Sequence, residues 1–567
     1  MKNITKLFAM VLILVLFANI AACGTQNTPP TTTAAAADAT TAAAQTTTTT
    51  AATQATTQQA TTAAQGTASD YATKVTIQYA NVTPLEGYDY NAGDPYAKFW
   101  ADKFNWELDV IGFTWENWTD MLRIWVNSQD VPDVSVFSYG SSSHPDAASW
   151  AEQGLIKKLP DDWRQRWPNV ARVFDITTVG PVMEEMFDGV YYLPRPRFDI
   201  NLPGNPLPFH QNVYIRRDWA ETVGFPIKDG YTTSEFMEYA RLVKDKDPGG
   251  VGANLVPIAV TSANAVRMFL QHNSTNFDFF YQDDDGNYQW GPTHPDTLVG
   301  LKLMQQAHSE GLLHPEFYTL LSDQDSDMFR IAGTAASVYM DGTATGMQVN
   351  MIARFEASTG LDSTKAVHAA SPLGEDGKYH QRDLINYWCV LMFSPDIKDE
   401  VFERFMDALD YGCTEDGYRV QVAGFEGEDY EWREGEMISL LPEGMPLESS
   451  EGKYPSIGGY MLANMKLWDD FSFDSPVVNK FYRDRSRDMY AYKVQMGTPE
   501  TFVPTDWTVF THDSPSRRQA SYNYTDEYAN IVTSSSNASE VEANLQAWID
   551  SQMPLIQPVL DELNALR

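Results

Sequence analysis

From Lys74 onward the chain alternates short apolar runs with stretches of helical periodicity, and this alternation limits what it can fold into. Residues 74–80 alternate as a strand does, 95–105 follow as a helix, and 106–113 read as a second strand. Met121, Leu122, Trp125 and Val126 then fall at helical spacing within 118–128. Asp130-Val131-Pro132-Asp133 breaks that helix, 134–137 is a third strand, and 146–153 the next helix. Strands separated by helices must bury both faces of a sheet, so the expected fold class is α/β with a parallel sheet. Ligands of such sheets lie beyond the carboxyl ends of the strands. Ser138-Tyr139-Gly140-Ser141-Ser142-Ser143 occupies that place after the third strand.

Further along, Asp188-Gly189 between apolar stretches suits a hairpin, and Pro194 and Pro196 suit a rigid crossover to another lobe. A strand at 212–216 leads to a helix opened by Thr232-Thr233-Ser234-Glu235 and running to about residue 244. The strand expected at 256–260 ends in Thr261-Ser262-Ala263-Asn264, again small polar groups at a strand end. A hairpin is expected over 279–290, a helix over 297–310 closed by Gly311, a strand over 337–342, and two strand-like pieces between 367 and 392. The remainder is richer in helix. One is expected at 400–411, one at 475–494 with Ser475 as cap and Pro476 at its first position, and one at 539–552 with Ser539 and Glu542 as a capping box.

The N-terminus supplies an address. Lys2 and Lys6 precede an apolar run from Leu7 to Ile20, too short for a comfortable membrane span, and Ala21 and Ala22 supply the small residues that signal cleavage needs. Ile20-Ala21-Ala22-Cys23 resembles a bacterial lipobox, which implies a signal peptide over 1–22 and lipidation of Cys23. Two or more lipid chains hold a protein stably on a membrane, where one would not. Behind Cys23, the chain to residue 72 is nearly all Thr, Ala, Gln, Ser and Gly, a composition that cannot offset its ordering entropy. A disordered tether of this length has an r.m.s. reach of about 40 Å. The expected location is therefore the extracytoplasmic face of a cell membrane, through the lipid anchor.

Charge excludes one class of partner. The chain carries 40 lysines and arginines against 76 acidic residues, a net charge of −36 that becomes more negative once Lys2 and Lys6 leave. Such a surface gains nothing from counterion release, so no nucleic acid is expected. Of three cysteines, Cys23 is spent on lipid, and Cys389 sits in the apolar run Tyr387–Phe393 as a small hydrophobe. Cys389 and Cys413 are expected as free, buried thiols, with a disulfide as the alternative that sequence spacing does not decide. No zinc spacing occurs, and no nucleophile-elbow, zincin or phosphate-loop motif.

An ordered set of short blocks carries a family resemblance. These are Asn127 to Phe137 (NSQDVPDVSVF), Trp150 to Leu159 (WAEQGLIKKL), Asp188 to Arg195, Tyr214 to Gly224 (YIRRDWAETVG), Glu310 to Phe317 (EGLLHPEF), and Gly417 with Gly424 to Trp432. Together they resemble extracellular solute-binding protein family 1, lipoproteins of carbohydrate ABC importers, and within it the large oligosaccharide- and uronate-binding branch. The resemblance implies a two-lobe periplasmic-binding-protein-like (type II) fold with a hinge and extra C-terminal helices. Lobe one is then 73–193 plus about 371–450, and lobe two 194–370 plus part of 451–567. The branch often carries a calcium loop after the YIRRDW helix. Here Gly249, Val251 and Leu255 offer no side-chain oxygen where carboxylates are expected, so neither metal nor cofactor is expected. Asp283-Asp284-Asp285-Gly286 reads as a solvated hairpin turn.

The function so implied is a membrane-tethered receptor that captures a carbohydrate, an oligosaccharide, between its lobes and delivers it to the permease subunits of an ABC importer. It would act as a monomer and not as an enzyme. Sugar rings present an apolar C–H face to aromatic planes while their hydroxyls need fixed donors and acceptors. The expected ligand-binding set is Trp118, Tyr139, Ser141, Arg195, Asn264, Asp341, Asn386, Trp388 and Trp432, with Trp118 and Trp388 stacking and Asp341, Asn264 and Arg195 hydrogen-bonding. A secreted glycoside hydrolase or lyase, needing only two carboxylates, and a cell-surface glycan adhesin are the alternatives.

Overall fold

The computed structural model describes residues 71–82, 87–91, 93–114, 117–177, 179–196, 210–321, 323–382, 387–442, 445, 447, 452–457, 480–520 and 522–567, all within one compact unit. Cys23, the signal peptide and the tether up to residue 70 lie outside the described residues, as do Asn386 and the cap at Ser475 and Pro476, whereas Tyr71, expected in the tether, is held by its Oη donating to Asp407 at 2.6 Å.

Two sheets, each with its own hydrophobic core, make two lobes of mixed α/β structure with added C-terminal helices. The first sheet has the strand order Trp106–Phe113, Val75–Val82, Val134–Phe137, Tyr387–Phe393, Leu193–Pro196. Its first three strands are parallel, as the alternation predicts. Tyr387–Phe393 is antiparallel to both neighbours, so the sheet is mixed and not purely parallel. The cause is connectivity. Leu193–Pro196 leaves this sheet at the carboxyl ends of the parallel strands, and Tyr387–Phe393 returns at that same end, so it has to run backward.

The second sheet, in the order Gly230–Thr232, Val367–Leu373, Gln211–Arg216, Ser337–Asp341, follows the same logic. Gln211–Arg216 enters from the first lobe and is antiparallel to both neighbours, while Gly230–Thr232 is parallel to Val367–Leu373. The expected strand at 256–260 forms only single parallel bridges, Val256 to Ala335, Ile258 to Leu313 and Ala259 to Val338. Pro257 has no N–H to give a ladder, which accounts for the interruption. A short parallel pair, Gln381–Arg382 with Phe502–Val503, lies beside the return crossing.

Two local expectations are corrected. Asp188 and Gly189 do not turn a hairpin: they end the Val179–Met186 helix, with Gly189 N–H donating to Glu184 O at 3.0 Å. Gly189 has φ 140°, a backbone conformation that favours glycine, while the Lys158 side chain that a Cβ would meet is flexible enough to move aside. The last helix, Ala538–Ala565, is capped by Asn537, whose side chain accepts from Ser539 N and Glu540 N, and not by Ser539. Glu542 bonds Lys302 at 2.7 Å instead of closing a capping box. That helix passes through Pro554 and Pro558 while burying Val541, Leu545, Ile549, Ile556, Val559, Leu560 and Leu563. Each such side chain contributes about 1.5–3 kcal/mol against about 3 kcal/mol per interior proline, so packing outweighs the breaks. By contrast the capping box Thr232/Glu235 forms as read.

Candidate functional site

Both strands that pass between the lobes do so at one end of the first sheet, and an aromatic cluster has gathered there. Tyr139, just past the Val134–Phe137 strand, stacks on Tyr192 (6.1 Å, 18°), tilts against Tyr387 (6.2 Å) and receives Phe510 edge-on at 5.5 Å. Tyr387 Oη donates to Tyr139 O at 2.8 Å, and Tyr139 Oη lies 3.0 Å from His144 Nδ1. Burial holds the Tyr139 phenol well above its ordinary range and pulls His144 below its own, the nearby Asp513 carboxylate only partly opposing that. Tyr139 is therefore a neutral phenol, and its Oη pairs with His144 Nδ1 inside the buried cluster.

The expected site residues fall into three groups. Ser141, Asn264 and Asp341 are half-buried at strand ends. Ser141 lies in the loop before the His144–Glu152 helix, closed by Ser143 Oγ donating to Ser138 O at 2.8 Å. Asn264 and Asp341 follow the carboxyl ends of adjacent segments bridged at Ala259 and Val338, so lobe two brings them to one edge. Asn264 Nδ2 donates to Asp325 Oδ2 at 2.8 Å, and Asp341 accepts from Thr343 N at 2.8 Å. Asp325 is 3% exposed, and burial raises its pKa despite the bonds from Asn264 and from Thr261 N.

Tyr139, Arg195 and Trp118 form the second group, each buried in or against the first lobe. Arg195 is close enough to Cys389 to act on its charge. Trp118 is 6% exposed, its Nε1–H donates to Val136 O at 2.8 Å, and its ring stacks on Phe113 at 5.7 Å. The structure thus places Trp118 in the core, with its polar edge already used and no open face for stacking.

The third group stands apart from these. Trp432 is 45% exposed on the two-stranded hairpin Tyr430–Arg433/Glu436–Ser439, edge-on to Tyr430 at 6.4 Å. The glycine-rich block before it is built around the fully buried Asp429, which accepts from Phe425 N at 2.7 Å, from Tyr454 Oη and from Lys453. Trp388 lies on the return strand, but its side chain is outside the described residues, like Asn386.

No group of three or more His, Cys, Asp or Glu side chains among the described residues could hold a metal. At the former calcium-loop position, Asp247 bonds its own loop: its carboxylate accepts from Val251 N at 2.9 Å and Gly252 N at 2.7 Å. Cys389 and Cys413 are both buried and form no disulfide among the described residues.

Sequence reasoning missed His144, Phe510 and Trp507, which join the C-terminal segment to this junction. Trp507 packs on the lobe-one core and lies 5.1 Å from Phe510. Their helix, Trp507–Thr511, is too short to show a periodicity.

No family model and no curated protein sequence matches the chain. Solved structures do. The chain is similar to an alginate-binding protein, AlgQ2 (17% identity, TM-score 0.55, covering 87% of this chain and 94% of that one). It is similar to a solute-binding protein from Bifidobacterium longum infantis described as HMO-binding and ABC-transporter-associated (16%, TM-score 0.54, 86% and 96%). It is also similar to the S. pneumoniae ABC-transporter substrate-binding protein FusA, solved with kestose (14%, TM-score 0.54, 86% and 96%). At these identities the likeness carries the fold, a two-lobe periplasmic-binding-protein-like fold with extra C-terminal helices.

Proposed function

We propose that this protein is an extracytoplasmic receptor, tethered to the membrane through lipidated Cys23, that captures an oligosaccharide between its lobes and delivers it to the permease of an ABC importer. The observation that carries the reading is the fold likeness over 86–87% of the chain to receptors whose names specify alginate, HMO and kestose. The N-terminal lipobox resemblance and the ordered family-1 blocks support it from the sequence. Membership of family 1, and of its oligosaccharide- and uronate-binding branch, belongs to this proposal. In the bound state Ser141 of lobe one and Asn264 and Asp341 of lobe two offer hydrogen-bonding groups at the facing strand ends. From the sequence alone, Asn386 and Trp388 are further ligand contacts in this proposal. Buried Tyr139 and Arg195 support the junction from beneath.

The mechanism is a population shift. A ligand that touches both lobes binds the closed arrangement better than the open one, and it moves the equilibrium by that difference. Nothing in such a cycle requires a bond to break. Incubation with labelled oligosaccharides tests the reading: stoichiometric retention without new products is expected, whereas release of shortened products points to a glycoside hydrolase or lyase and contradicts it. The anchor is tested separately. Cys23→Ala is expected to leave the membrane fraction, and its retention there contradicts the tether.

A further inference from the structure

We infer that Trp507, contributed by the C-terminal segment and by neither lobe's sheet, is an aromatic platform for the bound sugar; this rests on the receptor reading above. Most tryptophans with described side chains are buried and closed to a ligand. Of the others, Trp125 lies against Phe113 on an outer helix, Trp548 is surrounded by Trp290, Tyr522 and Tyr528, and Trp432 stands on its separate hairpin. Trp507 is the half-buried one that sits where the lobes meet.

Its helix is pinned from both sides. Asp506 caps it by accepting from Val509 N at 3.1 Å and takes Tyr288 Oη at 2.9 Å from a lobe-two hairpin. Val509 belongs to the lobe-two core, whereas its neighbour Phe510 belongs to the lobe-one core and packs on Tyr139 and His144. Two consecutive residues thus anchor one short helix in two different lobes. Trp507 is held edge-to-face against Phe510 at 5.1 Å and 66°, and its indole N–H has no hydrogen-bond partner among the described residues. A half-exposed indole fixed along one side and carrying an unused donor suits a sugar ring. The C–H face lies on the aromatic plane while a hydroxyl accepts from Nε1. On this inference the C-terminal helices contribute to ligand choice as well as buttressing lobe two.

The test uses the full chain and a panel of kestose, maltotetraose, chitotriose and tetragalacturonate, read by calorimetry and tryptophan fluorescence. Once the wild type binds a panel member, Trp507→Ala is expected to weaken that binding by about tenfold. Trp125→Ala, on the helix packed against Phe113, is expected to leave it unchanged. Trp507→Phe keeps the apolar packing and guards against misfolding: its melting temperature should match the wild type while the ligand-induced fluorescence change shrinks. Unaltered affinity in Trp507→Ala, or an unaltered fluorescence change in Trp507→Phe, overturns the inference and leaves the receptor reading standing. A wild type that binds no oligosaccharide of the panel overturns the receptor reading itself, and the platform with it.

Discussion

His272 is completely enclosed in lobe two, its Nε2 3.0 Å from Tyr339 Oη and its ring 6.0 Å from that of Tyr379. Burial first, then the charges of Lys493 and His380, pull its pKa from the ordinary 6.5 down to about 3. His368, partly buried beside Arg485, falls to about 4. In the unfolded chain both imidazoles titrate near 6.5, so below that pH the unfolded state takes up protons that the folded state refuses. The stability tied to these two residues is fully present above about pH 6.5 and is lost as the pH falls toward 4 and then 3. Thermal melts should therefore decline through that window, with His272 contributing a slope of about 1.4 kcal/mol per pH unit. His272→Gln should remove that share of the slope, and melts unchanged between pH 6.5 and 4 contradict the assignment. The two thiols make a simpler case. Burial raises both Cys389 and Cys413 far above the ordinary thiol range, so at pH 8 neither is a thiolate nucleophile. A disulfide-exchange chromogen should leave both untouched in the native protein and titrate both after denaturation; native reactivity of either contradicts the buried placement.

Among the elements, those with local causes were legible. The capping box of Thr232 and Glu235, the hairpin about Asp285-Gly286, and the first three strands of lobe one each depend on residues a few positions apart, and each is present. Elements whose partner is distant in sequence were misread. Leu193–Pro196 pairs with Tyr387–Phe393 and not with a local hairpin mate, and no turn residue can announce a partner that far away. Competition between neighbours is equally invisible, as at the last helix, where Asn537, Ser539 and Glu542 were all eligible for the start. Asn537 holds the cap, while Glu542 pairs with Lys302 on another helix. Asn537→Ala is accordingly expected to cost about 1 kcal/mol, and Ser539→Ala within about 0.5 kcal/mol of nothing. Urea unfolding of both variants checks the order, and a larger loss at Ser539 would restore the predicted capping box.

For the whole molecule, the two-lobe architecture was legible because each lobe repeats the strand and helix alternation around its own core. The junction was only partly so. The rule that strand ends carry sites picks out Tyr139, Ser141, Asn264 and Asp341, which the structure places at or just past strand ends, and it also picks out Trp118, which is core. Aromatic character alone cannot separate a platform from packing. Trp507 and Phe510 escaped notice because they reach the junction from a five-residue helix near the end of the chain, placed by contacts with Tyr139 and His144 in lobe one. In the proposed cycle one oligosaccharide bridges the lobes and favours their closure. Small-angle scattering of the full chain measures this directly, with and without a saturating oligosaccharide that calorimetry has shown to bind. A smaller radius of gyration with sugar is predicted, and an unchanged scattering profile at saturation would contradict it.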